Sequence, residues 1–151
     1  YENVEWVWGY KETDHLGGKD IYSGSKGAAD LVFKSFFQSF FSDHSYVTCA
    51  VARAGNVIGG GDWARDRIVV DAVTAWAQSK SVKVRCPSAT RPWQHVLDPL
   101  MGYLMLGEKL LKGETQFAEA WNFGPEEFDV LSVIELVMKS KNSWPIFLKT
   151  G

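Results

Sequence analysis

The chain of 151 residues has few of the features that mark secreted, metal-binding or membrane proteins. Its only cysteines, Cys49 and Cys86, lack the spacing of metal ligands, so we expect two reduced thiols. The three histidines are far apart and form no H-x-x-x-H pair. No apolar run approaches ~18 residues, and the first residues show no signal-peptide pattern. We therefore expect a cytoplasmic protein without a metal site or a membrane segment.

Neither sign of charge predominates, because 16 basic residues stand against 18 acidic ones and the net charge is −2. This balance, without like-charge blocks, is not typical of proteins that bind nucleic acids or membrane surfaces. The length and a hydrophobic content of 46% suit one domain with a sizeable core. Aromatic residues make up 14%, and they either fill that core or line a ligand cleft or subunit interface.

A glycine-rich nucleotide-binding turn is also missing. Such a turn has the pattern G-x-x-G-x-x-G or G-x-G-x-x-G between a strand and a helix. The glycines at 59–61 have neither that spacing nor that context. The chain opens on Tyr1 without a Met, so we expect part of a longer pattern. By itself, this polypeptide is expected neither to bind a dinucleotide tightly nor to show enzymatic turnover.

The sequence does contain a tyrosine and a lysine four residues apart. On a helix, Tyr22 and Lys26 would lie on one face. A free phenol is a poor base at neutral pH, but a nearby ammonium favours the phenolate form. Such a pair can accept the proton of a sugar or alcohol hydroxyl beside a hydride acceptor. Chance alone would give roughly one third of a Y-x-x-x-K pair in this composition, so the pair is weak support by itself.

Apolar periodicity predicts helices alternating with short extended segments. Helices are expected at about 22–42, 68–77, 98–113 and 132–144, and extended segments at 46–52, 81–85, 91–96 and 121–125. Asp20 is expected to cap the first helix, and Ser132 with Glu135 the last, which Pro145 should end. Glu12 and Asp14, in a loop over residues 1–19, are either functional groups or solvated charges, and we expect solvated charges.

Four blocks of the sequence resemble the extended short-chain dehydrogenase/reductases, and more narrowly the sugar-nucleotide 4,6-dehydratases that act on CDP-glucose. The blocks are residues 9–31, 53–63, 91–100 and 120–125. In family members, the glycine-rich turn and a Thr/Ser–Asp acid pair lie upstream of the segment that matches Tyr1. The resemblance implies an α/β fold, namely the later part of a doubly wound parallel sheet with a small substrate-binding region. We expect a single truncated domain (1–151), with the catalytic helix and last Rossmann strands in 1–80 and the substrate-binding region mainly in 81–151.

The resemblance also implies a reaction, the conversion of a CDP-hexose such as CDP-glucose to its 4-keto-6-deoxy form with NAD as cofactor. Tyr22 would take the proton of the 4-hydroxyl group while hydride passes from C4 to NAD. Lys26 would favour the phenolate form of Tyr22 and would hold the nicotinamide ribose. Water would then leave across C5 and C6, and hydride would return to C6.

Four residues are predicted to contact the nucleotide sugar. Asn56 lies in a loop after the strand at 46–52, where ligands of open α/β sheets gather, and the resemblance places it near the sugar diphosphate. Arg65 precedes the second helix and is either a pyrophosphate ligand or a solvated charge. In the region where the family sets nucleotide-sugar specificity, Arg91 is predicted to bind phosphate and Trp93 to pack on the base or sugar.

The sequence leaves three functions open. The first is a dehydratase whose N-terminal half is absent from this chain or supplied separately. The second is an epimerase or reductase of the same superfamily. Blocks 53–63 and 91–100 favour the first function over the second. The third is a truncated non-catalytic domain that binds a partner or a nucleotide sugar, which the missing glycine turn favours for the isolated chain. The helix at 22–42 has a wider apolar stripe than one core-facing side requires. We therefore expect a homodimer through that helix, as in the family.

Overall fold

The computed structural model describes residues 1–148 except 3, 5–7, 44–45 and 127–129, with residues 145–148 described by backbone alone. In this part of the chain the helices are α1 (Ile21–Phe40), α2 (Ile68–Ala77), α3 (Leu97–Leu111) and α4 (Val133–Leu148). The strands are β1 (Val51–Ala54), β2 (Asn56–Ile58), β3 (Thr90–His95), β4 (Ala120–Phe123) and β5 (Val130–Ser132). A single 3₁₀ turn at Thr115–Phe117 precedes β4. The predicted α/β class is confirmed.

Two compact units make up the chain. Unit 1 contains Tyr1–Ala54 and Leu100–Phe123, and unit 2 contains Gly55–Pro99 and Gly124–Gly151. The predicted single domain, divided near residue 80, stays a prediction. Among the described residues, no helix is long and apolar enough to cross a lipid bilayer.

The sheet of unit 1 consists of β1 and β4, which pair in parallel with Val51 opposite Ala120. The strand predicted at 46–52 has the wrong bounds, because β1 begins only where β4 provides a partner. Residues before β1 are held differently, since the hydroxyl of Thr48 donates to the carbonyl oxygen of Leu110 at 3.0 Å. The length of the neighbouring strand, and not β propensity alone, therefore set the start of β1.

Helix α3 packs on β4 through a glycine. A Cβ atom built on Gly102 would overlap the ring of Phe123. The ring of Tyr103 meets the same Phe123 ring edge-on, with 5.2 Å between centroids. The absence of a side chain at Gly102 thus allows the close contact between helix and strand.

We expect Gly102→Ala to destabilise the protein and Gly107→Ala, on the same helix, to stabilise it. A Cβ on Gly107 would meet no atom within 4 Å, so it should gain the alanine preference of a helix interior, about 0.5–1 kcal/mol. At Gly102 the same gain is opposed by overpacking of about 1–3 kcal/mol. Urea unfolding of both variants measures the difference. Equal effects on the free energy of unfolding would show that Phe123 moves aside without cost.

In unit 2, β3 pairs in parallel with β2 and antiparallel with β5. Helices α2 and α4 pack together, and the rings of Trp76 and Trp144 lie 5.7 Å apart. Among the described hydrophobic residues only Ala72 and Val137 are buried. The part of the chain that the structure describes therefore lacks the expected sizeable core, since sheets of two or three strands enclose few side chains between layers.

Two predicted details of the elements are wrong. No strand forms at 81–85, although Val82 and Val84 are half-buried and their neighbours exposed. The alternation predicted this burial correctly, but no neighbouring strand pairs with the segment to form a ladder. Pro145 also does not end α4, whose backbone stays helical to Leu148. A proline removes one backbone donor and disfavours the helix, but it does not exclude its continuation.

The predicted helix caps are confirmed. Asp20 accepts a hydrogen bond from the N–H of Ser23 at 3.0 Å, and bonds from the hydroxyl and N–H of Ser23 lower the pKa of Asp20. At α4, one carboxylate oxygen of Glu135 accepts from the hydroxyl of Ser132 at 2.6 Å and from its N–H at 2.8 Å. The N–H of Glu135 donates back to that hydroxyl at 3.3 Å, which completes a capping box.

The capping box should make α4 sensitive to acid. The hydrogen bonds from Ser132 lower the pKa of Glu135 below its ordinary value of 4.5. The carboxylate therefore contributes stability above that value, and the contribution is lost as the pH falls through the lower folded-state pKa. The urea midpoint, followed by far-UV circular dichroism from about pH 6 to pH 2, should be higher in the wild type than in Glu135→Gln near pH 6, and the difference should vanish towards pH 2 because the amide does not titrate. Superimposable acid curves would contradict a role for this carboxylate.

Candidate active site

The first two turns of α1 hold the predicted catalytic pair. The cap at Asp20 starts the helix so that Tyr22 and Lys26 lie one turn apart on one face. The ammonium nitrogen of Lys26 lies 5.7 Å from the centroid of the Tyr22 ring, a cation–π distance. The Tyr22 side chain is 71% exposed. The predicted shared face is found, while the catalytic roles of the two residues stay predictions.

The surface beside Tyr22 is formed by small side chains and is open to solvent. The hydroxyl of Ser25 is turned to the backbone, where it donates to the carbonyl oxygen of Tyr22 at 2.7 Å. A Cβ on Gly24 would meet no atom within 4 Å. Gly27, in contrast, is buried, and a Cβ there would lie 3.2 Å from the nitrogen of Gly17. Ser25 and Gly24 therefore leave space for a flat ligand, whereas Gly27 serves the packing of the N-terminal loop.

Arg53 of β1 connects the strand to the middle of α1. Its Nε lies 2.6 Å from a carboxylate oxygen of Asp30, and the two side chains are only 18% and 21% exposed. Its Nη1 donates to the hydroxyl oxygen of Tyr1 at 2.7 Å and to the carbonyl oxygen of Glu12 at 3.0 Å. Burial opposes the charge of Arg53, but the hydrogen bonds to Tyr1 and Asp30 outweigh it and raise the pKa of the guanidinium. Arg53 is therefore a permanent, partly buried cation.

Asn122 of β4 extends this network, because it lies opposite Arg53 in the sheet. The hydroxyl of Tyr1 donates to the amide oxygen of Asn122 at 2.6 Å. The backbone N–H of Asn122 donates to the carboxylate of Glu12 at 2.8 Å, and its side-chain amide donates to the carbonyl oxygen of Tyr10 at 3.0 Å. The prediction that Glu12 is a solvated charge is wrong, since its carboxylate holds the N-terminal loop against β4.

Sequence reasoning missed this network, although one signal was present. Arg53 and Asn122 are polar side chains within short apolar strands, Val51–Ala54 and Ala120–Phe123. A polar group at a half-buried strand position needs hydrogen-bond partners. The sequence could have indicated that partners exist, but it could not identify them.

Three of the predicted substrate-binding residues lie on or between strands of unit 2. Asn56 is the first residue of β2 and not part of a loop as predicted, because it pairs with Trp93 of β3. The indole N–H of Trp93 donates to the carbonyl oxygen of Leu131 at 3.0 Å, which fixes the ring of this half-buried side chain. Arg91 is exposed, and one of its guanidinium nitrogens donates to the carbonyl oxygen of Thr90 at 2.7 Å.

Arg65 is exposed in the turn before α2. The nearby Arg67 is engaged differently, with its Nε 3.3 Å from a carboxylate oxygen of Asp62. A Cβ on the preceding Gly59 would lie 2.7 Å from a methyl group of Val96, so this glycine allows its loop to pack closely on Val96. The structure thus supports Arg65 over Arg67 as a cation that is open to a ligand.

Tyr22 and Lys26 belong to unit 1, whereas Asn56, Arg65, Arg91 and Trp93 belong to unit 2. Within unit 2, the register brings Asn56 and Trp93 together as neighbours. In the described part of the chain, no three His, Cys, Asp or Glu side chains are grouped so that they could hold a metal ion.

Comparison with solved structures identifies the fold class. The chain matches a dTDP-glucose 4,6-dehydratase from Bacillus anthracis in complex with NAD (TM-score 0.67, 20% identity, 86% of this chain and 38% of that one). It also matches the dTDP-glucose 4,6-dehydratase DesIV from Streptomyces venezuelae with NAD bound (TM-score 0.70, 18% identity, 90% and 38%). A UDP-N-acetylglucosamine 4-epimerase from Methanobrevibacter ruminantium gives a TM-score of 0.66 at 17% identity, over 91% and 41% of the two chains. The fold is therefore that of the Rossmann-like sugar-nucleotide dehydratases and epimerases, as predicted.

Sequence comparison finds a relative that matches nearly the whole of this chain. The chain is 47% identical over 148 residues to the CDP-glucose 4,6-dehydratase of Salmonella typhimurium. The match covers 95% of this chain but 41% of the relative, so the chain spans less than half of the relative's length. No protein-family model matches. The predicted resemblance to CDP-glucose 4,6-dehydratases is confirmed.

Proposed function

We propose that this chain carries the proton-transfer pair and the nucleotide-sugar contacts of a CDP-glucose 4,6-dehydratase. The observation that carries the proposal is the exposed face of α1 on which the ammonium of Lys26 lies 5.7 Å from the Tyr22 ring. The 47% identity to the Salmonella typhimurium enzyme supports this choice of reaction. An epimerase or reductase would use the same pair, but the solved epimerase shares only the fold, at 17% identity.

In the proposed first step, the phenolate oxygen of Tyr22 accepts the proton of the C4 hydroxyl group. The C–H bond at C4 breaks in the same step, and a carbonyl group forms at C4. Lys26 stabilises the phenolate through its positive charge, because the two side chains lie one helical turn apart on the same exposed face. NAD, when bound, supplies the hydride acceptor for this oxidation and the hydride donor for the later reduction at C6.

The residues present fit one end of this cofactor. Lys26 has hydrogen-bond donors for a ribose hydroxyl, and the open surface at Gly24 leaves room for a flat nicotinamide ring. The chain has no glycine-rich turn for the pyrophosphate. We therefore propose that Tyr22 and Lys26 hold the nicotinamide ribose and that this chain alone binds NAD only weakly.

The proposed contacts with the nucleotide sugar come from unit 2. Arg91 and Arg65 are exposed cations with the planar donor geometry that suits phosphate oxygens. Trp93, whose indole is fixed by its hydrogen bond to Leu131, offers an aromatic surface for the base or the sugar. Asn56, adjacent to Trp93 in the sheet, would contact the sugar diphosphate.

We further propose that the chain forms a homodimer through α1 and resides in the cytoplasm. Large apolar side chains on one side of α1 are exposed, and they include Val32, Phe33, Phe36 and Phe40. Contiguous apolar surface of this kind marks interaction sites. Both cysteines are free, which fits a reducing compartment.

A chimera tests the proposal. In the chimera, this chain replaces the matched segment of the Salmonella typhimurium CDP-glucose 4,6-dehydratase. We expect the chimera to convert CDP-glucose to the 4-keto-6-deoxy sugar, whereas the isolated chain should show no turnover and no micromolar NAD affinity by calorimetry. A folded chimera without turnover would contradict the dehydratase function. It would favour the non-catalytic alternative if the isolated chain still bound CDP-glucose.

A further inference from the structure

A third residue, the charged Asp30, continues the stripe of Tyr22 and Lys26 along α1. Asp30 follows Lys26 by four residues, as Lys26 follows Tyr22, so Lys26 has a neighbour on the same face one turn away in each direction. On one side is an aromatic ring and on the other a carboxylate. Both are favourable partners for an ammonium group, and a cation–π contact and an exposed i,i+4 ion pair are of similar strength.

In the structure, Lys26 takes the aromatic partner. Its ammonium lies over the Tyr22 ring at 5.7 Å from the centroid. In the described part of the chain Lys26 forms no ion pair, and the cation at Asp30 is Arg53, at 2.6 Å. The guanidinium of Arg53 is itself held by the hydroxyl of Tyr1 and the carbonyl of Glu12. The carboxylate nearest to Lys26 along the stripe is therefore already neutralised.

We propose that Arg53 is a positioning residue for the Tyr22–Lys26 pair, because it occupies Asp30 and so keeps Lys26 directed at Tyr22. Without Arg53, the partly buried carboxylate of Asp30 would be left without its cation, a costly state that Lys26 could relieve by turning away from Tyr22. The inference rests on the proposed role of Tyr22 and Lys26. Its test measures their contact and not turnover, so either proposal can fail while the other holds.

The test is NMR spectroscopy of the whole chain, with nuclear Overhauser contacts between the Lys26 side-chain methylene groups and the Tyr22 ring as the readout. Arg53→Gln, which removes the charge, should abolish these contacts and the ring-current shift of the Lys26 resonances. Arg53→Lys, which keeps a cation for Asp30, should retain them. Tyr22→Leu removes the ring and identifies the signals that depend on it.

The decisive variant is the double substitution Arg53→Gln with Asp30→Asn. It lacks the same ion pair as Arg53→Gln, but it has no carboxylate that could attract Lys26. We expect the Lys26–Tyr22 contact to return in the double variant and to persist in Asp30→Asn alone. Loss of the contact in all three variants would make the Arg53–Asp30 pair merely structural and overturn the proposal. Retention of the contact in a folded Arg53→Gln chain would overturn it as well.

Should Arg53→Gln fail to fold, Asp30→Asn still tests the mechanism, because removal of the competing carboxylate must leave the Lys26–Tyr22 contact intact. If Asp30→Asn loses the contact while its circular dichroism spectrum is native, Asp30 supports the pair instead of competing for it. That result would refute the mechanism.

Discussion

Tyr22→Phe in the chimera with the Salmonella typhimurium enzyme should lower the turnover of CDP-glucose about 10³-fold, the range typical of losing a positioned proton acceptor. The substitution removes one oxygen atom and keeps the ring, so the cation–π contact with Lys26 remains. Oxidation at C4 would then lack its proposed base, whereas the proposed nucleotide-sugar contacts would be untouched. Stopped-flow absorbance of NADH measures the first hydride transfer, and calorimetry measures CDP-glucose binding.

The matched control is Tyr46→Phe, which removes the same hydroxyl group from another exposed tyrosine. Turnover should stay within about twofold of the parent chimera, since Tyr46 has no proposed role in the reaction. A parallel loss of binding and turnover in Tyr22→Phe would assign the hydroxyl to substrate binding and contradict its role as a base. An unchanged rate of hydride transfer would exclude Tyr22 from the chemistry altogether.

Phe36→Glu should abolish self-association of the chain, with the dissociation constant raised at least about 100-fold. Phe36 is 55% exposed on α1, and its ring lies 4.7 Å from that of Phe40, which is also exposed. In a symmetric dimer each copy would bury one Phe36 side chain, so a charge introduced there is introduced twice. Sedimentation velocity over a range of concentrations measures the effect.

Gln38→Glu is the control for this charge on the same helix. Position 38 is exposed, and two residues of an ideal helix turn the side chain by about 200° away from the face of Phe36. We expect the association of Gln38→Glu to equal that of the wild type. If both variants weakened association equally, net charge would be the cause. If the wild-type chain stayed monomeric at all concentrations, the exposed face of α1 would serve another partner.

Local features of the fold were predicted well from the sequence. The capping residue Asp20 and the capping box of Ser132 and Glu135 act over three residues, and their hydrogen bonds are found as predicted. The shared face of Tyr22 and Lys26 follows from helical periodicity alone. The prediction of a strand at 81–85 was wrong because it did not depend on local contacts alone. A strand requires a partner strand, and alternation within one segment does not reveal that partner.

The predictions that failed depended on the surroundings of a residue. Glu12 was predicted to be solvated because it lies in a loop, yet its carboxylate accepts the N–H of Asn122, 110 residues away in sequence. A sizeable core was expected from length and composition, yet only Ala72 and Val137 are buried among the described hydrophobic residues. Composition states how much apolar surface a chain has, whereas the number of strands and layers decides how much is covered.

The sequence by itself determined the resemblance to CDP-glucose 4,6-dehydratases, the helix caps and the side-by-side arrangement of Tyr22 and Lys26. These are properties of neighbouring residues, or of motifs that can be compared directly. Tertiary structure alone decided that Arg53 meets Asp30, 23 residues away, and that Tyr1 meets Asn122, 121 residues away. The hydroxyl of Tyr1 joins Arg53 to Asn122 because the register of β1 against β4 places those two residues opposite each other, and register is set by the packing of segments that are distant along the chain.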